Sequence, residues 1–321
     1  MSTATPTKAP VYDNREAFAD ELCALAREDE RIVVVCNDSV GSSKLGGFRE
    51  EFGPRLVNVG IAEQNMVGVG AGLANGGLVP FVSSAAPFLT GRSLEQVKAD
   101  IAYSQYPVIL CGQSTGMAYG ELGPTHHSVE DLSWLRALPG LDIVVPADRA
   151  ETRQAVRLAA ARPGPTYIRV GRFKVPDVTP EGHVLERGRW SILREGADVA
   201  LVATGTMVHG ALVAAETLAA SGIEATVVNA AYIAPLDLDL LDELAGRVEA
   251  IVSVEEATLS GGLGAAVASR IAQRPTTRPA VRLLGVHDEF APTGSNEFLL
   301  DYFGLTPEKI VEASTEALRH A

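Results

Sequence analysis

Between Arg15 and Asp29 (REAFADELCALARED) apolar residues recur three and four apart, a period that predicts an amphipathic helix with Asn14 as its cap. The next run, RIVVVCND, is short, β-branched and closed by polar residues, which predicts a buried strand. EQNMVGVGAGLANGG then predicts a helix of small residues ending in a glycine pair, LVPFVSSA a strand, SLEQVKADIAYSQ a helix and PVILCGQ a strand. GLDIVVPAD continues as a strand, RAETRQAVRLAAAR as a helix closed by Pro163 and Gly164, and GPTYIRVGR as a strand. Such alternation predicts an α/β domain around a mostly parallel, doubly wound sheet.

From Phe173 to Trp190 the chain turns polar and rich in Pro and Gly, which predicts a linker, with a hairpin edge in it. Alternation then resumes. ADVALVATG, IEATVVNA, VEAIVSVEE and VRLLGV are expected strands; MVHGALVAAETLAAS, LDLDLLDELAGR and GGLGAAVASRIAQ are expected helices. The expected organisation is a loose tail over 1–10, a first domain over 11–175, a linker over 176–190 and a smaller α/β domain over 191–321. No repeat of solenoid period is present.

Composition narrows the function. The net charge of -13 over 321 residues argues against nonspecific binding to nucleic acid or to an anionic membrane surface. It leaves room for a local basic pocket. Cys23, Cys36 and Cys111 are scattered, which fits buried thiols in a reducing compartment. The N-terminus has no apolar signal core and no run is long enough to span a bilayer, so a cytoplasmic location is expected.

Four motifs carry candidate chemistry. Gly68, Gly70 and Gly72 miss the dinucleotide spacing, because Leu73 stands where the last glycine belongs, so they are expected to serve close helix packing. GQSTG, Gly112 to Gly116, matches a nucleophile elbow, but the Gly-rich MAYGELGPTHH that follows does not predict the helix an elbow must launch. GELGPTHHSVED carries His126 and His127 and then Ser128 as an N-cap candidate, with Glu130 and Asp131 in the first helical turn. Neighbouring imidazoles point differently and make poor joint metal ligands; one of them on a rigid loop suits proton transfer near pH 7. Glu63 sits at the start of the small-residue helix. It is either a carboxylate satisfied by the helix end or a partner for a protonatable ring nitrogen in an apolar pocket.

NVGIAEQNMVGVGAGLA, PFVSSAAPFLTGRSLEQ, GELGPTHHSVEDLSWLRALPGLDIVVPAD and PTYIRVGR together resemble the pyrimidine-binding domain of transketolases. VATGTMVHGALVAAETLAASGIEATVV and VEEATLSGGLG resemble that family's C-terminal domain, so the likeness runs in order over nearly the whole chain. The resemblance implies thiamine diphosphate as cofactor. By it, Glu63 corresponds to the glutamate that hydrogen-bonds the aminopyrimidine ring nitrogen and drives formation of the ylide. Phe88 corresponds to the aromatic that stacks on the pyrimidine, with Ile61 beside it, and His126 to a substrate-contacting, proton-transferring histidine. Arg15, Ser42 and Arg172 correspond to positions that hold a substrate phosphate. The second domain resembles one that supports a dimer interface and carries no catalytic residue.

The family's other half binds diphosphate and Mg²⁺ through a G-D-G…N motif, and G-D-G is missing here. The resemblance therefore implies the C-terminal subunit of a split transketolase, with metal ligands from an N-terminal partner and an α2β2 assembly. Its reaction would move a two-carbon ketol unit from a ketose or ketose phosphate to an aldehyde. Three departures imply non-standard substrates: Ser114 where the family has a substrate-contacting histidine, Leu122 where it has an aspartate, and Ala85 where it has an aromatic. Two rivals remain: the beta subunit of a 2-oxoacid dehydrogenase or decarboxylase, which shares PGL-x-VV-x-P but not the G-P-T-H-H-S loop, and a non-catalytic subunit that resembles an enzyme half.

Overall fold

A computed structural model describes residues 9–275 and 278–321; most of the expected tail, 1–8, lies outside the described residues. The strands in chain order are β1 (Tyr12–Asp13), β2 (Ile32–Cys36), β3 (Leu56–Asn58), β4 (Val79–Ala85), β5 (Ile109–Gln113), β6 (Asp142–Val144) and β7 (Thr166–Val170). They continue as β8 (Lys174–Val175), β9 (Ser191–Arg194), β10 (Val199–Ala203), β11 (Ala225–Asn229), β12 (Tyr232–Ala234), β13 (Ala250–Thr258) and β14 (Ala280–Val286).

One sheet runs β12-β6-β7-β5-β4-β2-β3 and the other β14-β13-β10-β11-β9. Pairing is parallel except at β12 and β9, which lie antiparallel on one edge of each sheet. Central strands such as β2 and β10 are buried along their whole length, as two-sided helical cover demands. The chain leaves β2 toward β3 on one side and β4 toward β5 on the other. That reversal opens a crevice beyond the carboxyl ends of β2 and β4, the position where such sheets take ligands.

Periodicity located the helices Asn14–Glu28, Glu63–Asn75, Arg149–Ala161, Met207–Ala220, Leu238–Arg247 and Leu263–Ala272 closely. Three local expectations are corrected. The first helix is capped by Asp13, whose carboxylate accepts from the Arg15 N–H; Asn14 is already the first helical residue. The segment SLEQVKADIAYSQ, expected to form one helix, instead makes a single α turn, Leu94–Gln96, and a π-helical turn, Val97–Ala102, and a further π-helical turn, Phe88–Arg92, precedes it. The linker makes no hairpin of its own, because β8 pairs back onto β1 at Tyr12 and Val175.

The linker is also strapped down. Arg187 pairs with Asp142, and the Trp190 indole donates to the Tyr232 carbonyl at 2.8 Å. A single apolar cluster runs from Met66 and Val82 through Leu132 and Ile143 to Val202 and Ile251, so the two sheets share core rather than merely touch. Strand β12, contributed by the second half of the chain, extends the first sheet.

Candidate active site

A cavity of about 570 Å³ fills the crevice. Asn37, Ser39 and Ser42 reach it from the loop after β2; Ile61 and Glu63 from the turn after β3; Ala85, Phe88 and Arg92 from the end of β4; Tyr119, Leu122, Thr125 and His126 from the loop after β5.

Glu63 opens its helix. Room for it depends on the small residues behind: a Cβ on Gly70 would come within 2.5 Å of Val82, so that glycine lets the helix lie against β4. The expectation that the helix glycines serve close packing holds at Gly70; a Cβ on Gly68 would make only an ordinary contact and one on Gly72 would meet nothing within 4 Å. Glu63 is only 4% exposed, yet both side-chain donors that reach it, Asn37 Nδ2 at 2.7 Å and Arg92 Nη1 at 2.9 Å, converge on Oε1. Burial opposes its charge; its own backbone N–H, Asn37 and Arg92 overcome that and hold the carboxyl below its usual range. Glu63 is therefore an anion at neutral pH.

Arg92 also lies over Phe88, its guanidinium carbon 4.1 Å from the ring centroid. Phe88 and Arg92, four positions apart, are the first and last residues of one π-helical turn, and both line the crevice. His126 meets Phe88 edge-on at 5.2 Å and Tyr119 at 6.1 Å, and Thr125 Oγ1 lies 3.0 Å from its Nδ1. Tyr119 in turn carries the Arg172 guanidinium at 4.9 Å. Arg172 lines a second cavity of about 510 Å³, shared with Tyr119, Ser295 and Asn296.

The structure thus brings Ile61, Glu63, Phe88, Ser42 and His126 to one cavity and sets Arg172 in the next. It does not bring Arg15 or Ser114. Arg15 is buried, spends Nε and Nη2 on Asp13 and donates Nη1 to the Ser42 carbonyl at 3.0 Å, so it braces the Ser42 loop. Ser114 is fully buried at φ 58°, its N–H donating to the Val170 carbonyl, and it lies off the lining. No α-helix follows it: the chain turns and forms a single 3₁₀ turn at Gly120–Leu122, as the reading against an elbow expected. Ser128 is not an N-cap. The helix begins at Asp131, and Ser128 pairs through its backbone with Gly116. Asp131 does lie in the first helical turn, as expected, where it accepts the Leu132 N–H at 2.9 Å, and it is fully buried against Arg169 and the Tyr167 hydroxyl. His127 points away from the cavity into the interior, where burial lowers its basicity.

Sequence reasoning missed Asn37, Arg92 and Tyr119. Arg92 carried one signal, its place just after Phe88 in FLTGR, but its contact with Glu63, 29 positions earlier, is set by the tertiary fold. Among the described residues no group of three or more His, Cys, Asp or Glu side chains could hold a metal ion, and no helix is long and apolar enough to cross a membrane.

The architecture and this crevice define a two-domain α/β protein with a ligand-sized cavity at a sheet switch point. Residues 11–177 match the transketolase pyrimidine-binding domain and 188–310 the transketolase C-terminal domain. An apulose-4-phosphate transketolase subunit of Phocaeicola vulgatus is 40% identical over 306 residues, covering 95% of this chain and 97% of that one. The 6-deoxy-6-sulfo-D-fructose transketolase subunit SqwH of a Clostridium species is 37% identical, covering 94% and 93%. A solved structure described as a split gene transketolase, inactive beta4 tetramer, superposes with a TM-score of 0.87 at 40% identity, covering 97% of this chain and 99% of its own. The chain belongs to the transketolase family and carries the family's pyrimidine-binding and C-terminal domains.

Proposed function

We propose that this chain is the C-terminal subunit of a split transketolase-type enzyme that moves a two-carbon ketol unit from a ketose donor to an aldehyde acceptor. Thiamine diphosphate would lie between it and an N-terminal partner that supplies the diphosphate and Mg²⁺ site, in an α2β2 assembly. The observation that carries the reading is Glu63: a buried carboxylate kept ionised, with no side-chain donor on Oε2 among the described residues, beside the Phe88 ring in an open cavity.

These residues fit an aminopyrimidine. Glu63 would accept a hydrogen bond from the ring nitrogen and hold a proton there, which satisfies the buried charge. Phe88 and Ile61 would seat the flat ring; Ile61 is 78% exposed, an apolar surface suited to burial against cofactor and partner. When bound, the cofactor supplies a carbon nucleophile that takes up and passes on the two-carbon fragment. His126 would move a proton to or from the substrate oxygens at the cavity mouth. Arg172, stacked on the Tyr119 ring, would hold an anionic substrate end, and Ser42, whose loop Arg15 braces, would contact it from the cavity lining.

The two relatives are named for apulose-4-phosphate and for 6-deoxy-6-sulfo-D-fructose, both anionic sugars, which supports that use of Arg172 and a non-standard substrate. The test is to purify the chain alone and with its N-terminal partner, then follow ketol transfer from phosphorylated and sulfonated ketoses. Transfer that requires both chains and added thiamine diphosphate supports the reading. Carbon dioxide release from a 2-oxoacid would replace it with the decarboxylase alternative.

A further inference from the structure

The loop between β5 and the helix Asp131–Arg136 carries Tyr119, Leu122, Thr125 and His126 to the cavity. Its base is closed by a reciprocal pair, Gly116 N–H to Ser128 O at 3.0 Å and Ser128 N–H to Gly116 O at 2.7 Å. A carboxylate from the other domain is docked on this closure. Glu256, in β13, is 3% exposed; its Oε1 accepts the Met117 N–H at 2.6 Å and its Oε2 the Thr206 hydroxyl at 3.2 Å. Its main-chain oxygen accepts Arg169 Nη2 at 2.9 Å, and that same nitrogen donates to the Ser128 carbonyl at 3.0 Å. Arg169 is anchored in turn on Asp131, where the loop ends. Gly116, at φ 64°, has no space for a side chain, because a Cβ there would strike the Glu256 carboxylate.

Both ends of the loop are therefore tied to one residue of the second domain: the first through the Glu256 side chain, the second through its main chain by way of Arg169. Burial pushes the carboxyl up to about 7, so this acceptor is held at a cost that a neutral side chain would avoid. A bland packing contact would not need its oxygen aimed at the first N–H of the loop proper.

We propose that Glu256 is a positioning residue that, through the Met117 N–H, fixes the loop presenting His126 to the cofactor cavity. The second domain then sets the geometry of a site whose lining lies in the first. This inference rests on the role given above to His126, and its test separates the two.

Hydrogen exchange on the full chain reads the loop without cofactor or partner. In Glu256→Ala the amides of Met117 to His126 should exchange at least about tenfold faster while β4 and β5 keep their protection. Glu256→Gln, which retains a carbonyl acceptor, should restore most of the difference. In the enzyme assembled with its partner, Glu256→Ala should lower kcat by about tenfold and leave the affinity for thiamine diphosphate unchanged, because Glu63 and Phe88 lie on other elements. Should Glu256→Ala not fold, Glu256→Asp, which withdraws the oxygens by one methylene, carries the same comparison. Unchanged loop exchange in a folded variant overturns the inference, and so does faster exchange spread over the whole chain without rescue by Gln. Faster loop exchange with kcat unaltered supports the hold on the loop and removes His126 from the reaction.

Discussion

At the scale of single residues, the chemistry is concentrated on Glu63 and its two donors. Replacing it by Gln keeps the volume and removes the acceptor charge. Under the proposed function, turnover of the assembled enzyme should fall by at least ~10²-fold. Full turnover in a steady-state assay of Glu63→Gln would remove the carboxylate from the mechanism. Arg92 makes a separate prediction on the free chain. It helps hold the Glu63 carboxyl below its usual range, so Arg92→Ala should raise that pKa, read as a carboxyl-carbon titration by NMR. Asn37 and the backbone N–H remain, so the shift should be partial; no shift would mean that the Arg92 contact is too exposed to matter, at 50% side-chain exposure. Part of this site was legible in the sequence. Glu63 and His126 stood out as residues with candidate chemistry, whereas Phe88, Ile61 and Ser42 were implied only by the resemblance to transketolases. Arg15 was legible as a residue but not as a contact, because its partner Asp13 claims the guanidinium first. Ser114 occupied the expected position in the chain, yet a left-handed backbone turned it into the interior.

At the scale of elements, hydrophobic periodicity found the long helices and the central strands, because a two-sided sheet and an amphipathic helix each impose their own period. It failed where period carries no information. The antiparallel edges β9 and β12 are short, and β12 pairs with a strand nearly ninety positions earlier, which no local pattern encodes. The π turn at Val97–Ala102 was missed for a related reason: one extra residue per turn leaves an apolar spacing that still passes for α-helix. Of the glycines expected to serve packing in the Glu63 helix, Gly70 does so and Gly72 does not, and the difference can be measured. Gly70→Ala pushes a methyl group into the stiff Val82 side chain and should cost about 1–3 kcal/mol in urea unfolding. Gly72→Ala meets nothing within 4 Å and should be neutral or slightly stabilising through helix propensity. Equal effects at the two positions would refute the close helix–strand approach.

At the scale of the molecule, the two domains are joined by buried charge as well as by shared core, and this gives stability a pH dependence of defined sign. Glu255 accepts the Leu263 and Gly264 N–H groups at a helix start, Glu256 holds the Met117 loop, and burial raises both carboxyls from 4.5 to about 7. An acid raised in the folded state binds more protons folded than unfolded between those two values. Its contribution is therefore full below about pH 4.5 and is lost as pH rises to about 7. His183, raised by its bond to Glu151, works in the same direction, with stability lost as pH climbs through its folded value. His127 and His209, lowered by burial, work the other way around neutrality. Lowered carboxyls such as Glu63 and Asp13 are a separate limb, losing stability only as pH falls below the ordinary carboxylate range. Because these contributions overlap, the decisive measurement is a difference. Thermal unfolding of the chain between pH 5 and 8 should show a Tm that falls more steeply in the wild type than in Glu255→Gln/Glu256→Gln, which cannot ionise at either position. Parallel curves would mean that water or relaxation already stabilises the two carboxylates.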